Sequence, residues 1–162
     1  MTAQPSPWDE DYRRRGNLWG GAPAPLPEIP ADAAVLEVGC GNGKTLEALA
    51  RRSSRVTAVD ISPEAVDLAR RRPGTAEADL AVADARHLPF RDEAFDAVFL
   101  VHVAGHLPEQ GRRAIASGAA RVLRPGGTLF FRGFSVEDMR AGKGTETEPW
   151  TFRRGEGIIT HY

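Results

Sequence analysis

Short apolar runs alternate along the chain with segments whose apolar positions recur at helical spacing, the pattern of buried strands separated by amphipathic helices. Residues 34–38 form the first expected strand, and after Lys44 the side chains of Leu46, Leu49 and Ala50 share one helical face. Residues 55–59 predict a second strand. The next helix opens with Ser62-Pro63-Glu64: a capping hydroxyl, a proline where no amide donor is needed and an acid at the positive helix end. It should stop near Arg72, before Pro73-Gly74. Residues 80–83 and 95–101 predict strands three and four, the latter apolar enough to be buried on both faces. Pro108 suits the first turn of a helix with Ile115, Ala119, Val122 and Leu123 on one face, ending at Pro125-Gly126-Gly127. Residues 128–131 make the fifth strand.

Five short strands with helices between them imply a doubly wound α/β domain, a mostly parallel sheet with helices on both faces, because parallel neighbours need a crossover. Three segments are expected. Residues 1–33 hold Trp8, Tyr12 and Trp19 and a proline-rich lead-in, residues 34–133 the core, and residues 134–162 an irregular tail rich in glycine and charge.

Composition narrows the class. With 41% hydrophobic and 27% charged residues in 162, the chain can bury one core. A formal charge of −1 gives no field for gathering nucleic acid or anionic lipid, so neither partner is expected. Arg13-Arg14-Arg15 and Arg70-Arg71-Arg72 read as solvated faces. Cys40 is the single cysteine, and the start lacks a secretory signal, so a cytoplasmic location is expected.

The candidate chemistry follows the strands. Glu37-Val38-Gly39-Cys40-Gly41-Asn42-Gly43 is a glycine-rich exit from the first strand, where missing Cβ atoms allow sharp turning and close approach of a ligand. Asp60 closes the second strand as an exposed carboxylate able to take both hydroxyls of a ribose, or else to serve the helix start near Ser62. Asp84 follows the third strand, as a ligand acceptor or a turn-forming residue. A dinucleotide fingerprint would place its third glycine at position 44, where Lys44 stands. His102 and His106 are four apart, but no cysteine or acid joins them at ligand spacing, so no metal is expected. Either imidazole is a candidate base or a lining residue, because both follow strand four and imidazole titrates near neutral pH.

Glu37-x-Gly39-x-Gly41-x-Gly43 resembles the first motif of class I S-adenosylmethionine-dependent methyltransferases of the small-molecule type. Val59-Asp60-Ile61-Ser62 resembles that family's second-strand acid, and Ala83 to Phe90 its adenine-side loop. Phe95-Asp96-Ala97-Val98 is similar to the start of its fourth strand, and residues 121–127 to the turn before its fifth. The resemblance implies a Rossmann-like fold and S-adenosyl-L-methionine as cofactor. The backbone of Gly39, Cys40, Gly41 and Gly43 would pack on its methionine and ribose portions. Asp60, followed by Ile61, would hold the ribose, Asp84 and the Ala85 amide the adenine, and the backbone near His102 the methionine ammonium. Glu37 would orient the loop or meet that ammonium through water, and Asp96, at the other sheet end, is structural. The aromatic lead-in would fold over the cofactor as a lid.

The resemblance also implies strands beyond the fifth that this sequence lacks, so strand five should be an open edge covered by the tail or by self-association. Residues 157–162 form an apolar stretch without a strand partner in view. The expected function is methyl transfer to a small-molecule acceptor. The alternatives are a non-catalytic cofactor-binding module and a nicotinamide-dependent oxidoreductase. In-line displacement requires no particular catalytic residue, so none is assigned.

Overall fold

The computed structural model describes residues 6–16, 18, 21, 25–155 and 157–162. Its centre is a five-stranded parallel sheet built from β1 (Ala34–Val38), β2 (Arg55–Asp60), β3 (Asp79–Val82), β4 (Phe95–Val101) and β5 (Leu123–Arg132), in the order β3-β2-β1-β4-β5. The chain winds outward from β1 through β2 to β3, then crosses to β4 and β5 on the other side. The reversal opens a crevice between the carboxyl ends of β1 and β4, where open α/β sheets take ligands.

All five β1 residues are buried, which is why that strand reads as an unbroken apolar run interrupted only by Glu37. Leu36 and Val38 pack with Val98, Leu100, Ile115, Ala119 and Val122 on the face covered by α4 (Glu109–Val122). Val35, Ala97 and Phe99 pack on the opposite face with Leu46 and Leu49 of α2 (Lys44–Ala50) and with Ala69 of α3 (Pro63–Arg70). The helical spacing visible in the sequence is therefore the spacing of two separate apolar layers.

The element bounds differ from expectation in small ways and for local reasons. The α3 helix ends at Arg70, and β3 begins one residue early at Asp79. The α4 helix stops at Val122, and β5 already starts at Leu123. Leu123 pairs with Phe95 and Thr128 with Ala97, so the Pro125-Gly126-Gly127 turn bulges out within the strand. Asp96 acts as the predicted structural residue: its carboxylate accepts from the Ala34 amide at 2.7 Å and from Arg124 at 2.5 Å.

The tail corrects the expectation of an irregular segment. Strands β6 (Thr145–Glu148), β7 (Thr151–Arg153) and β8 (Ile159–His161) form a separate antiparallel sheet in the order β6-β7-β8. The apolar end thus has a partner, with Ile159 opposite Arg153 and His161 opposite Thr151. The strands are only three or four residues long, too short to show a period in the sequence.

The lead-in forms α1 (Pro7–Arg15), capped by Ser6, whose hydroxyl accepts from the Asp9 amide. Arg13, Arg14 and Arg15 are exposed and paired with Asp9 and Asp11, a solvated face as expected. Arg72 departs from that reading, being only 23% exposed and bonded to Glu47. Trp19 and residues 22–24 of the proline-rich lead-in lie outside the described residues. Ser62 ties α1 to the core: its hydroxyl accepts from the Ala65 amide at 3.1 Å and donates to Asp9 at 2.9 Å. Ser62→Ala is expected to lose about 1 to 2 kcal/mol of stability, the cost of a removed cap, in a urea titration followed by circular dichroism. An unchanged midpoint would show that this junction does not hold α1.

Candidate functional site

The crevice is a cavity of about 960 Å³, and each strand of the β3-β2-β1-β4 series contributes to it at its carboxyl end. Glu37, Gly39, Cys40 and Gly41 line it from the β1 exit, Asp60 and Ile61 from β2, Asp84 and Ala85 from β3, and His102 from β4. The topology thus gathers nine of the ten expected cofactor residues. The tenth, Gly43, does not line the cavity. It precedes α2 with φ 78°, and a Cβ there would lie 3.1 Å from Ala69, so its lack of a side chain lets α2 approach α3.

The loop is built for close turning. Gly39 has φ 77°, and an added Cβ would lie 2.7 Å from Val103. The Gly39 and Cys40 amides both donate to the carbonyl of Val59 at the end of β2.

Asp60 is not the exposed carboxylate the sequence suggested. It is 9% exposed, with one oxygen accepting from the Gly41 amide at 2.8 Å and the other from the Ser62 amide at 3.0 Å. It therefore braces both the glycine loop and the α3 start while lining the cavity. Burial raises its pKa, partly offset by the amides of Ser62, Gly41 and Ile61.

Glu37 lies deeper, at 2% exposure, and its Oε2 has no hydrogen-bond partner among the described residues. Burial first, and then the Asp60 charge, push its pKa well above the usual carboxylate value. Asp84 does form a turn, accepting from the Arg86 amide at 2.9 Å, and the Arg86 guanidinium engages both of its oxygens. That ion pair holds the Asp84 carboxyl below its ordinary range.

His102 has φ 61°, a strained conformation for a non-glycine residue, and its amide donates to Arg132 at 2.7 Å. Its Nδ1 is buried without a partner among the described residues. His106 follows in the 3-10 turn Ala104–His106, with Nδ1 2.8 Å from the Ile159 carbonyl. Burial lowers the pKa of both imidazoles, so both are neutral near pH 7. No group of three metal-ligating side chains occurs among the described residues.

Sequence reasoning missed Arg86, Phe134 and Ile159, which also line the cavity. Phe134, just after β5, follows the rule that ligand-side residues succeed strands and was findable on that ground. Ile159 arrives on β8, for which the sequence offered no period.

Comparison with known proteins fits this geometry. Residues 36–131 match the model of a family described as a methyltransferase domain. The chain belongs to this methyltransferase family. It is 39% identical over 103 residues to a ubiquinone biosynthesis O-methyltransferase of Xanthomonas oryzae, covering 62% of this chain and 42% of that protein. It is 36% identical over 124 residues to a 2-methyl-6-phytyl-1,4-hydroquinone methyltransferase of Synechocystis, covering 75% and 37% respectively. The chain therefore spans less than half the length of these curated relatives. Among solved structures, a SAM-dependent methyltransferase from Methanosarcina mazei superposes with a TM-score of 0.66 at 28% identity, over 83% of this chain and 74% of that one. The methyltransferase fold is thus the source of the five-strand order and of the glycine-loop crevice.

The buried Glu37 makes the stability of this methyltransferase domain depend on pH. Native Glu37 keeps its proton to a higher pH than the unfolded chain, whose value is near 4.5, so stability falls as pH rises above that value. Glu37→Gln is expected to be more stable than the parent at about pH 8 and nearly equal to it at about pH 4, in urea titrations at both. An equal gap at both pH values would mean that Glu37 ionisation contributes nothing.

Proposed function

We propose that this chain transfers a methyl group from S-adenosyl-L-methionine to a small-molecule acceptor in the cytoplasm. The observation that carries the proposal is the convergence of the Gly39–Gly43 loop, Asp60 and Asp84 on one crevice at the strand-order reversal. The residues fit the cofactor chemically. Glu37 Oε2 is a buried acceptor lacking a donor, and an ammonium group, directly or through water, supplies one. The Asp60 carboxylate suits a ribose diol, Ile61 is exposed at 40% for the flat face of a base, and Asp84 with the Ala85 amide suits its edge. When bound, the cofactor supplies an electrophilic methyl on a sulfonium. The protein's part is then to hold donor and acceptor aligned and to exclude water.

Trp8 and Tyr12 of α1 line the same cavity, which supports the lead-in as its lid. The names of both relatives refer to quinone-type rings, which supports an aromatic small-molecule acceptor. No helix among the described residues is long and apolar enough to cross a membrane.

Calorimetric titration tests the cofactor. S-adenosylhomocysteine should bind saturably, and Asp60→Ala should weaken it by on the order of a hundredfold or more, since two hydrogen bonds to a charged acceptor are lost. Tight NADH binding without S-adenosylhomocysteine binding would favour the oxidoreductase instead.

The edge of β5 supports self-association as a further part of the proposal. Leu129 and Phe131 are exposed at 42% and 63% beside an unpaired strand edge. Sedimentation equilibrium should detect a dimer that Phe131→Asp dissociates. A monomer at all concentrations would remove this part.

A further inference from the structure

Four rings meet on the cavity wall. Trp8 packs edge-on against His106 with centroids 4.7 Å apart, Phe134 lies 5.5 Å from His106, and His102 lies 4.7 Å from Phe134. All four residues line the cavity. Flat aromatic molecules pack well in such surroundings, through offset and edge-to-face contacts.

Within this cluster one nitrogen is prepared to accept a proton. A carbonyl only accepts, so the 2.8 Å contact with Ile159 places the hydrogen of His106 on Nδ1 and leaves a bare lone pair on Nε2. That Nε2 is buried and has no partner among the described residues. A buried acceptor left unpaired costs free energy, and an incoming hydroxyl relieves it. His102 lacks this arrangement: among the described residues its Nδ1 has no partner that would fix a tautomer.

We infer that His106 Nε2 is the general base that removes a phenolic proton from a hydroxylated aromatic acceptor, with the Ile159 carbonyl on β8 holding the imidazole in the required tautomer. This rests on the methyltransferase reading and gives it an acceptor class. The acceptor O–H bond breaks with its electrons retained on oxygen, and the proton goes to Nε2. Oxygen then bonds to the methyl carbon as the carbon–sulfur bond breaks, its electron pair staying on sulfur. The imidazolium afterwards returns its proton to water. Because Trp8 packs on His106, the acceptor reaches Nε2 by displacing or sliding past that ring, which makes α1 a gate to the base as well as a cover.

The electrostatic surroundings keep His106 ready. Burial lowers its pKa, the Ile159 bond raises it, and the neighbouring Arg140 charge, with that of His102 whenever it is protonated, lowers it further. Trp8 brings no charge from α1, and the His161 ring on β8 is turned to Thr151, 2.9 Å away. The imidazole is thus neutral at the pH where a phenol, with a pKa of about 10, still needs a base.

The probe for this inference is 4-nitrocatechol, whose visible band reports its ionisation, added to the ligand-free chain below the pH at which the free probe ionises. The parent protein should bind it and shift the band to that of the anion. His106→Asn retains a donor for the Ile159 carbonyl, and should bind the probe with similar affinity while ionising at least tenfold less of it. His106→Gln carries the same comparison if the Asn variant fails to fold. In turnover, His106→Asn should lose about a hundredfold or more with catechol, yet less than tenfold with 4-nitrocatechol already ionised at the assay pH. Equal probe ionisation in parent and variant, an equal loss with both acceptors, or no probe binding to the parent would overturn the inference. A parallel titration with S-adenosylhomocysteine separates the failures: if it binds, only the His106 role falls, and if it does not, the methyltransferase reading falls first.

Discussion

The carboxyl end of the sheet is organised around one nearly buried carboxylate. Asp60 receives the Gly41 amide on one oxygen and the Ser62 amide on the other, joining the loop after β1 to the helix start after β2. Without those bonds two backbone donors would lose their partners, a cost in free energy where they are buried. Ser62 extends the chain of dependence, since its hydroxyl caps α3 and reaches Asp9 on α1. A single line of polar contacts thus runs from the glycine loop to the aromatic segment over the cavity. Protonating Asp60 would weaken its bonds from the Gly41 and Ser62 amides, and those amides in turn favour its charged form.

The same economy explains Glu37. It occupies an inward position on the strand buried along its whole length, next to Asp60, and both effects favour its protonated form. A second buried carboxylate beside the first favours the charged form of neither. Glu37 Oε2 has no hydrogen-bond partner among the described residues. A buried carboxylate whose pKa is pushed up by burial and a like charge costs stability at neutral pH, an arrangement that clusters at functional sites.

The core was legible because its signals were physical and redundant. Apolar runs, helix starts such as Ser62-Pro63-Glu64 and glycines at strand exits all pointed to one parallel sheet, and the strand-end rule then located Gly39, Asp60, Asp84 and His102 together. Where reading failed, a tertiary contact had replaced a local signal. The exposure of Asp60 was misjudged because strand-end position says nothing of the amides that fold back on it. Gly43 was grouped with the cavity by spacing, yet its neighbour is Ala69, a contact made only once two helices pack. The β5 start was hidden because Leu123 continues the helical apolar face and also pairs with Phe95.

The tail was illegible for a different reason, and that reason bears on what it does. Three strands of three or four residues, with polar Thr and Glu positions and mostly exposed side chains in β6, bury too little to impose a pattern on the sequence. Such a sheet gains its place from long-range contacts: Phe152 and Tyr162 pack together, and Tyr162 also meets Phe134 beyond β5. Among the described residues, the Ile159 carbonyl on His106 is its polar bond into the 3-10 turn. Glu148 of β6 adds a second tie, accepting from the Glu109 amide at 2.8 Å and from Arg112 at 3.4 Å on α4. The sheet that lines the crevice with its strand ends and the tail that reaches it through Ile159 are thus separated in sequence, in strand length and in the strength of the forces that fold them.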